Sequence, residues 1–224
     1  MPGKSAIAID GPAGAGKSTV ARGVARALGY KYIDTGAMYR AVTLAALKKK
    51  LDPGDYKNLT ELANSIKIDI IENNGTNAVY IDGEDVTREI RTPEVTQMVS
   101  YVSLVPGVRK ALVEAQRNMA HAGGVVMEGR DIGTVVLPDA KFKFFLTASA
   151  GERAKRRVAD FQRLGFEVDL EQLTADIEKR DYIDSSREIN PLRPADGAHI
   201  IDCTRMTAEE VIGLIVEVVT GGLS

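Results

Sequence analysis

The stretch Gly11-Pro12-Ala13-Gly14-Ala15-Gly16-Lys17-Ser18 decides the fold class of this 224-residue chain. Its spacing, G-x-x-x-x-G-K-[ST], is typical of loops that wrap around the phosphates of a nucleotide. The apolar run Ala6-Ile7-Ala8-Ile9 precedes it, and Thr19-Val20-Ala21-Arg22 follows it. We therefore predict a buried strand, a phosphate-binding loop and a helix from Lys17 to Leu28, whose first backbone N–H groups converge on an anion.

Each type of residue in this loop has a physical reason to be there. Gly11, Gly14 and Gly16 let the chain pass close to phosphate oxygens without a clash from Cβ. Lys17 is expected to reach the β- and γ-phosphates, and Ser18 is expected to hold Mg²⁺. The residues from Gly11 to Thr19 therefore predict a site for a nucleoside triphosphate.

The composition narrows the class of protein. A net charge of −2 and an isoelectric point near 5.8 argue against a surface that covers nucleic acid. The single cysteine, Cys203, excludes an internal disulfide and suits a reducing compartment. No apolar run approaches the ~18 residues that span a bilayer, and the first five residues do not resemble a signal peptide. We expect a soluble, cytoplasmic monomer with no nucleic-acid or membrane partner.

Short apolar runs alternate with longer amphipathic segments along most of the chain, which predicts an α/β fold with a five-stranded parallel sheet between two layers of helices. The predicted strands are Ala6–Asp10, Tyr30–Asp34, Val125–Glu128, Phe142–Leu146 and Ile200–Asp202. Ligands of such sheets bind at the carboxyl ends of the strands. The polar clusters that fall at those ends are Asp10-Gly11, Asp34-Thr35-Gly36 and Glu128-Gly129-Arg130-Asp131.

One segment, between a helix at about Met38–Lys50 and the strand at Val125, breaks this alternation. Its apolar residues recur with period 2, which predicts a small antiparallel sheet. The segment is either a decorative insertion or a mobile lobe that holds a second substrate. Its predicted elements are strands around 66–70 and 78–81, a turn at Asn73-Asn74-Gly75, and helices at about Pro93–Ser103 and Val108–Ala122.

Arginines are unusually frequent near the predicted strand ends. Guanidinium groups grip phosphate oxygens in pairs, so such a cluster suits a phosphorylated acceptor as well as a phosphate donor. The guanine-binding string Asn-Lys-x-Asp of switch GTPases does not occur, which disfavours a nucleotide switch. These residues favour phosphoryl transfer between two phosphorylated molecules. The arginines concerned are Arg40, Arg109, Arg130, Arg153, Arg156, Arg157, Arg180 and Arg187.

Four strings in order resemble the bacterial cytidylate kinases, which are P-loop nucleoside monophosphate kinases. They are the loop Gly11 to Thr19, Asp34-Thr35-Gly36-Ala37-Met38-Tyr39-Arg40, Glu128-Gly129-Arg130-Asp131-Ile132-Gly133-Thr134, and Arg180-Asp181 with Asp184 and Arg187. The resemblance covers essentially the whole chain. One departure is Thr35, where some members carry serine; the hydroxyl is kept.

The resemblance implies one kinase domain over residues 1–224, with an acceptor-binding lobe inserted at 60–105 and a short lid at 150–168. It implies transfer of the γ-phosphate of ATP to CMP or dCMP, with Mg²⁺ as cofactor. The acceptor-side residues that match the family are Thr35, Arg40, Ser100, Arg109, Arg130, Asp131, Asp184 and Arg187. Among them, Arg40 and Arg130 match phosphate-binding positions, Ser100, Arg109 and Asp131 match cytosine-binding positions, and Asp184 and Arg187 match ribose-binding positions.

The assignment of Asp131 to the base agrees with hydrogen-bond chemistry. Cytosine presents an exocyclic amine that a carboxylate accepts, whereas uracil presents a carbonyl oxygen there. Catalysis is expected to depend on Lys17 and on Arg153, Arg157 and Arg180 closing over the transferring group. A kinase for another acceptor, such as UMP or shikimate, and a nucleotide-hydrolysing switch remain the alternatives.

Overall fold

The computed structural model describes residues 5–73 and 76–221, so Asn74 and Gly75 of the predicted turn lie outside the described residues. The elements up to residue 91 are β1 (Ile7–Asp10), α1 (Lys17–Leu28), β2 (Lys31–Asp34), α2 (Thr35–Lys48), α3 (Tyr56–Ser65), β3 (Ile68–Asn73), β4 (Thr76–Ile81), β5 (Glu84–Asp85) and a 3₁₀-helix (Glu89–Arg91). Those that follow are α4 (Pro93–Val102), α5 (Pro106–Ala120), β6 (Val125–Gly129), a π-helix (Ile132–Val136), β7 (Phe142–Thr147), α6 (Ala150–Arg163), α7 (Leu170–Ser186), β8 (His199–Asp202) and α8 (Ala208–Thr220).

Five strands form one parallel sheet in the order β2-β6-β1-β7-β8. Every residue of β1 and of β6 is buried, because helices cover both faces of the sheet. The predicted α/β class with a five-stranded parallel sheet is confirmed. The carboxyl ends of β1, β6 and β2 lie side by side, which places Asp10, Gly129 and Asp34 at one edge.

The core fixes this edge from both sides. On one face, Val20 and Val24 of α1 pack with Val211 and Ile215 of α8 against the strands. On the other face, α5 and the π-helix cover residues such as Met127. The loop between β1 and α1 therefore joins two elements that both pack in the core.

The second sheet is small and antiparallel, in the order β3-β4-β5. Ile70 pairs with Val79, so the two predicted strands of this segment do form an antiparallel pair. The third strand, β5, was not predicted; it follows a tight turn at Asp82 and Gly83, which are both in the left-handed region. A two-residue strand carries too little periodicity to be recognised from sequence.

Two helices were absent from the sequence prediction. At the start of α3, the Asp55 carboxylate accepts the Asn58 N–H at 3.1 Å, and Leu59 and Leu62 are buried at helical spacing. Further on, α7 packs against α6 through Phe161, Leu173 and Ile177. Among the described residues, no helix is long and apolar enough to cross a membrane.

Candidate functional site

The loop between β1 and α1 has the tight geometry that its glycines predict. Gly11 and Gly14 have positive φ angles of 148° and 75°, and a Cβ on Gly11 would lie 2.0 Å from the Leu146 carbonyl oxygen. Lys17 is buried, and its Nζ donates to the Pro12 carbonyl at 2.8 Å. Burial and the nearby Arg130 guanidinium lower the pKa of Lys17 to about 7. An incoming anion would relieve both effects.

Three oxygen-bearing side chains meet beside the start of α1. The Ser18 hydroxyl lies close to the Glu128 carboxylate at the end of β6, and the Tyr32 hydroxyl donates to the same carboxylate. Burial and then the Asp34 charge raise the pKa of Glu128. Hydroxyl and carboxylate oxygens are the donor set that Mg²⁺ prefers in nucleotide sites.

The Asp34-Thr35-Gly36 cluster begins α2 instead of preceding it. The helix expected from about Met38 starts at Thr35, because the Asp34 carboxylate accepts the Ala37 N–H at 3.0 Å. The Thr35 hydroxyl donates to the Glu128 carbonyl at 2.7 Å. The first turn of α2 is thereby tied to the end of β6.

Arg40 and Arg91 approach the same carboxylate. A guanidinium nitrogen of each lies 4.0 Å from Asp34 Oδ2. Arg91 was not predicted as a site residue, because it follows the small antiparallel sheet and reaches the site only once that sheet has folded against α2. In the sequence, the nearest signal for Arg91 is that it directly precedes Thr92 and Pro93, which begin α4. The start of α4 fixes the direction of the chain at Arg91.

Arg109 and Asp131 form a buried ion pair. Arg109 donates through Nη2 to Asp131 and through Nη1 to the Ser103 carbonyl at 3.2 Å. The Tyr39 ring lies 5.7 Å from this guanidinium, close enough for a cation–π contact. Ser100, on the neighbouring α4, is buried as well. The structure therefore brings together the residues that match cytosine-binding positions.

Asp184 joins the arginines on the other side of Asp131. Its Oδ2 accepts Arg130 Nε at 2.9 Å, and Arg180 Nε lies 3.6 Å from the same oxygen. Arg187 lies 3.9 Å from both Asp184 and Asp131. Burial alone raises the pKa of Asp184, but Arg130, Arg180 and Arg187 outweigh it and the net shift is downward. This carboxylate is thus charged and holds the arginines in place.

Three of the four arginines of α6 point in different directions. Arg153 donates to the Ala13 carbonyl at 3.0 Å, to the Ala148 carbonyl at 2.9 Å and to Asp181 at 2.6 Å, so its guanidinium faces the backbone of the loop. Arg156 donates to the Cys203 carbonyl at 2.7 Å. Arg157 stacks on the Phe161 ring at 4.7 Å, and burial lowers its pKa to about 10.

A cavity of about 310 Å³ joins these groups. Seven basic side chains and three carboxylates line it, although the chain as a whole is acidic. Of the four residues predicted to be catalytic, Lys17, Arg157 and Arg180 are part of this lining and Arg153 is not. Arg156, which had no firm prediction, lines the cavity as well. The basic residues of the lining are Lys17, Arg40, Arg130, Arg156, Arg157, Arg163 and Arg180.

Ser100 lines a second cavity, of about 640 Å³, between α4 and α7, and Arg157 and Arg180 line both cavities. Arg109, Asp131, Asp184 and Arg187 are buried and line neither cavity, but Asp184 pairs with Arg130 and lies 3.6 Å from Arg180, both of which line the first. The two cavities are adjacent, because Arg157 and Arg180 line both.

Comparisons with known proteins identify the family to which this chain belongs. The model of the family "Cytidylate kinase" matches residues 7–221. A protein of Desulforamulus reducens named cytidylate kinase is 57% identical, over 96% of this chain and 97% of its own length. One of Pelotomaculum thermopropionicum with the same name is 55% identical, over 96% of each.

Solved structures show the fold alone. A shikimate kinase from Bacteroides thetaiotaomicron superposes with a TM-score of 0.51 at 14% identity, over 96% of this chain and 98% of that one. At that identity the likeness concerns the architecture of the sheet and its helices. The match of the family model over nearly all residues, together with relatives above 50% identity, shows that this chain belongs to the cytidylate kinase family.

Proposed function

We propose that this chain transfers the γ-phosphate of ATP to CMP or dCMP, giving ADP and CDP or dCDP. The observation that carries the proposal is the cavity of about 310 Å³, which is lined by Lys17 and Ser18 of the phosphate loop together with Arg40 of α2 and Arg130 directly after β6. Such a cavity suits two phosphorylated molecules with their reacting groups adjacent. The close relatives named cytidylate kinase support the same reaction.

The donor half would bind ATP through the loop from Gly11 to Thr19. Its backbone N–H groups and the start of α1 would hold the phosphates, and Lys17 would balance the charge of the β- and γ-phosphates. Ser18 would hold Mg²⁺, which neutralises charge on the triphosphate when bound. Glu128, whose carboxylate lies close to Ser18, would orient that hydroxyl.

The acceptor half would bind CMP. Arg40 and Arg130, joined by Arg91, would hold its phosphate, because all three are cations held near Asp34 or Asp184 at the edge of the cavity. Ser100, Arg109 and Asp131 would bind cytosine, with the Asp131 carboxylate accepting its exocyclic amine. Thr35, Asp184 and Arg187 complete the list of proposed acceptor residues.

The transfer itself needs no strong base, since the acceptor phosphate already carries an ionised oxygen. That oxygen forms a bond to the γ-phosphorus as the bond to the bridging oxygen of ADP breaks. Arg157 and Arg180, which line both cavities, would neutralise charge on the transferring group. Arg153 would hold the loop in shape through the Ala13 carbonyl, or release it and turn inward on closure.

Closure is expected to involve the lobe at 60–105 and the lid at 150–168. The cavity between α4 and α7 separates these two regions, and bringing them together would exclude water that could otherwise hydrolyse ATP. Lys17 and Ser18 of the donor half and Arg40 and Arg130 of the acceptor half line one cavity within a single copy of the chain. We therefore propose that the monomer is the active species.

A coupled assay for ADP release tests the proposal with CMP, dCMP, UMP, AMP and shikimate as separate acceptors. We expect rapid ADP formation with CMP and dCMP and slower formation with UMP. Equal ADP formation with and without an acceptor would indicate a hydrolase instead. Equal rates with CMP and UMP would remove the base-binding role of Asp131.

A further inference from the structure

Asp10 is a buried carboxylate that the proposed reaction does not use. It is the last residue of β1, directly before the phosphate loop, and only 2% of its surface is exposed. Its two oxygens accept consecutive backbone N–H groups, from Ile132 at 2.8 Å and from Gly133 at 2.7 Å. Asp10 therefore bridges residues that are more than 120 positions apart in sequence.

The segment that Asp10 holds begins directly after the acceptor residues. Arg130 and Asp131 end the run that leaves β6, and the π-helix starts at Ile132. The Asp131 carbonyl accepts the Val135 N–H at 2.9 Å, so the backbone of Asp131 is continuous with that helix. Holding the N–H groups of Ile132 and Gly133 in place therefore also fixes the backbone positions of Arg130 and Asp131, which directly precede them.

An ionised carboxylate is energetically unfavourable at this buried position. The pKa of Asp10 is raised to about 6 as the net result of burial and the nearby Asp131 charge, which raise it, and of the two backbone N–H groups and Lys17, which lower it. An ionised group that is destabilised in the folded state does not improve stability at neutral pH. What a carboxylate offers here is two acceptor oxygens in one plane for two adjacent donors.

We propose that Asp10 is a positioning residue, which holds Arg130 and Asp131 in register with the phosphate loop and so sets the affinity for the acceptor. The inference rests on the proposed function, because it assigns Arg130 and Asp131 to CMP. It goes beyond it by adding a residue that touches neither substrate. The donor loop begins one residue later, yet its own hydrogen bonds, such as that from Lys17 to Pro12, do not pass through the Asp10 carboxylate.

The first test is Asp10→Asn, which keeps the shape of the side chain. The amide has one acceptor oxygen, so one of the two N–H groups loses its partner and the backbone at Ile132 and Gly133 shifts. We expect KM for CMP to rise about tenfold, KM for ATP to stay within about twofold, and the preference for CMP over UMP to fall. The matched control is Asp55→Asn, because Asp55 accepts a backbone N–H at the start of α3, outside the cavity.

The second variant, Gly133→Ala, acts on the same contact from the other side. A Cβ on Gly133 would lie 3.3 Å from Asp10 Oδ2 and 3.1 Å from the Ala195 Cβ, so the N–H must move. Its control is Gly213→Ala in α8, where a Cβ meets nothing within 4 Å. We expect the same selective rise in KM for CMP, which keeps the test available if Asp10→Asn does not fold.

The outcomes separate the inference from the proposed function. If the unmodified protein forms no ADP in response to CMP, the proposed function fails. If the unmodified protein is active but both folded variants raise KM for ATP and CMP equally, or leave KM for CMP unchanged, the positioning role is wrong. A lower melting temperature without a change in the ratio of the two KM values would mean that Asp10 is only structural.

Discussion

The donor and acceptor halves of the site are built in opposite ways. The donor half is one continuous stretch, Gly11 to Thr19, whose contacts depend mainly on backbone conformation and on Lys17. The acceptor half is a set of side chains that reach from Asp34 to Arg187 and bond to one another. The conformation of a short loop depends mainly on its own residues. A network of charged side chains from several elements forms only after the fold has brought those elements together.

The two halves also differ in whether their cationic side chains are paired with carboxylates of the protein itself. Lys17 is buried beside other cations, so its protonated form is disfavoured. The acceptor arginines are instead paired with Asp131 and Asp184. Substrate phosphate therefore supplies a missing anion in the donor half, but must compete with built-in anions in the acceptor half. Variants in each half should separate these two situations.

The largest effect is expected for Arg180→Ala, because Arg180 lies between the halves. The charge of its guanidinium lowers the pKa of Lys17, and its Nε lies 3.6 Å from Asp184 Oδ2. We expect kcat to fall by about 10³-fold with smaller changes in both KM values, since an arginine of this kind acts in the transition state. Asp184 keeps Arg130 and Arg187, so the fold should persist.

Arg163→Ala is the control for that experiment. Arg163 lines the same cavity, but its side chain is 75% exposed and its ion pair with Asp160 is at the surface. Its removal should change kcat by less than about twofold. Equal losses in the two variants would mean that the cavity needs general positive charge and not Arg180 in particular.

Lys17→Met tests the donor half alone. The change removes the charge while keeping most of the apolar chain, and we expect kcat to fall by about 10²–10³-fold. Binding of CMP, measured by calorimetry in the absence of ATP, should stay the same, because no acceptor residue hydrogen-bonds to Lys17 within the described part of the chain. Lys49→Met, at an exposed position, is the control. Loss of CMP binding in Lys17→Met would contradict the separation of the halves.

Asp131→Asn tests the acceptor half alone. The amide can still accept from Arg109, but its NH₂ group would face the cytosine amine with a donor. We expect kcat/KM for CMP to fall by about 10²-fold, kcat/KM for UMP to fall less, and KM for ATP to stay within about twofold. The control is Asp85→Asn, because Asp85 is an exposed carboxylate that accepts the Thr87 N–H. An unchanged ratio of CMP to UMP activity would remove Asp131 from base recognition.

The contrast between the halves also explains what the sequence could reveal. The phosphate loop, the strand before it and helix Lys17–Leu28 were predictable because each depends on neighbouring residues only. The order of the strands and the approach of Arg91 to Asp34 were not, because they depend on how the small sheet packs. The orientation of Arg153 toward Ala13 was equally hidden, since a helix face predicts a direction and not a partner. The family resemblance indicated the acceptor residues, but it did not indicate which of them form ion pairs with one another.

The smallest expected effect concerns the residue that links the halves. Because the folded-state pKa of Asp10 is about 6 and the ordinary value is 3.8, the folded protein binds a proton more readily than the unfolded chain between these values. The free energy of unfolding should therefore fall by roughly 1–3 kcal/mol, relative to Asp10→Asn, as the pH rises from 4 to 6. Above pH 6 the difference between the two proteins should level off. Urea unfolding of both proteins at pH 4, 5, 6 and 7 measures it, and a difference that is constant over this range would mean that Asp10 keeps its ordinary pKa in the fold.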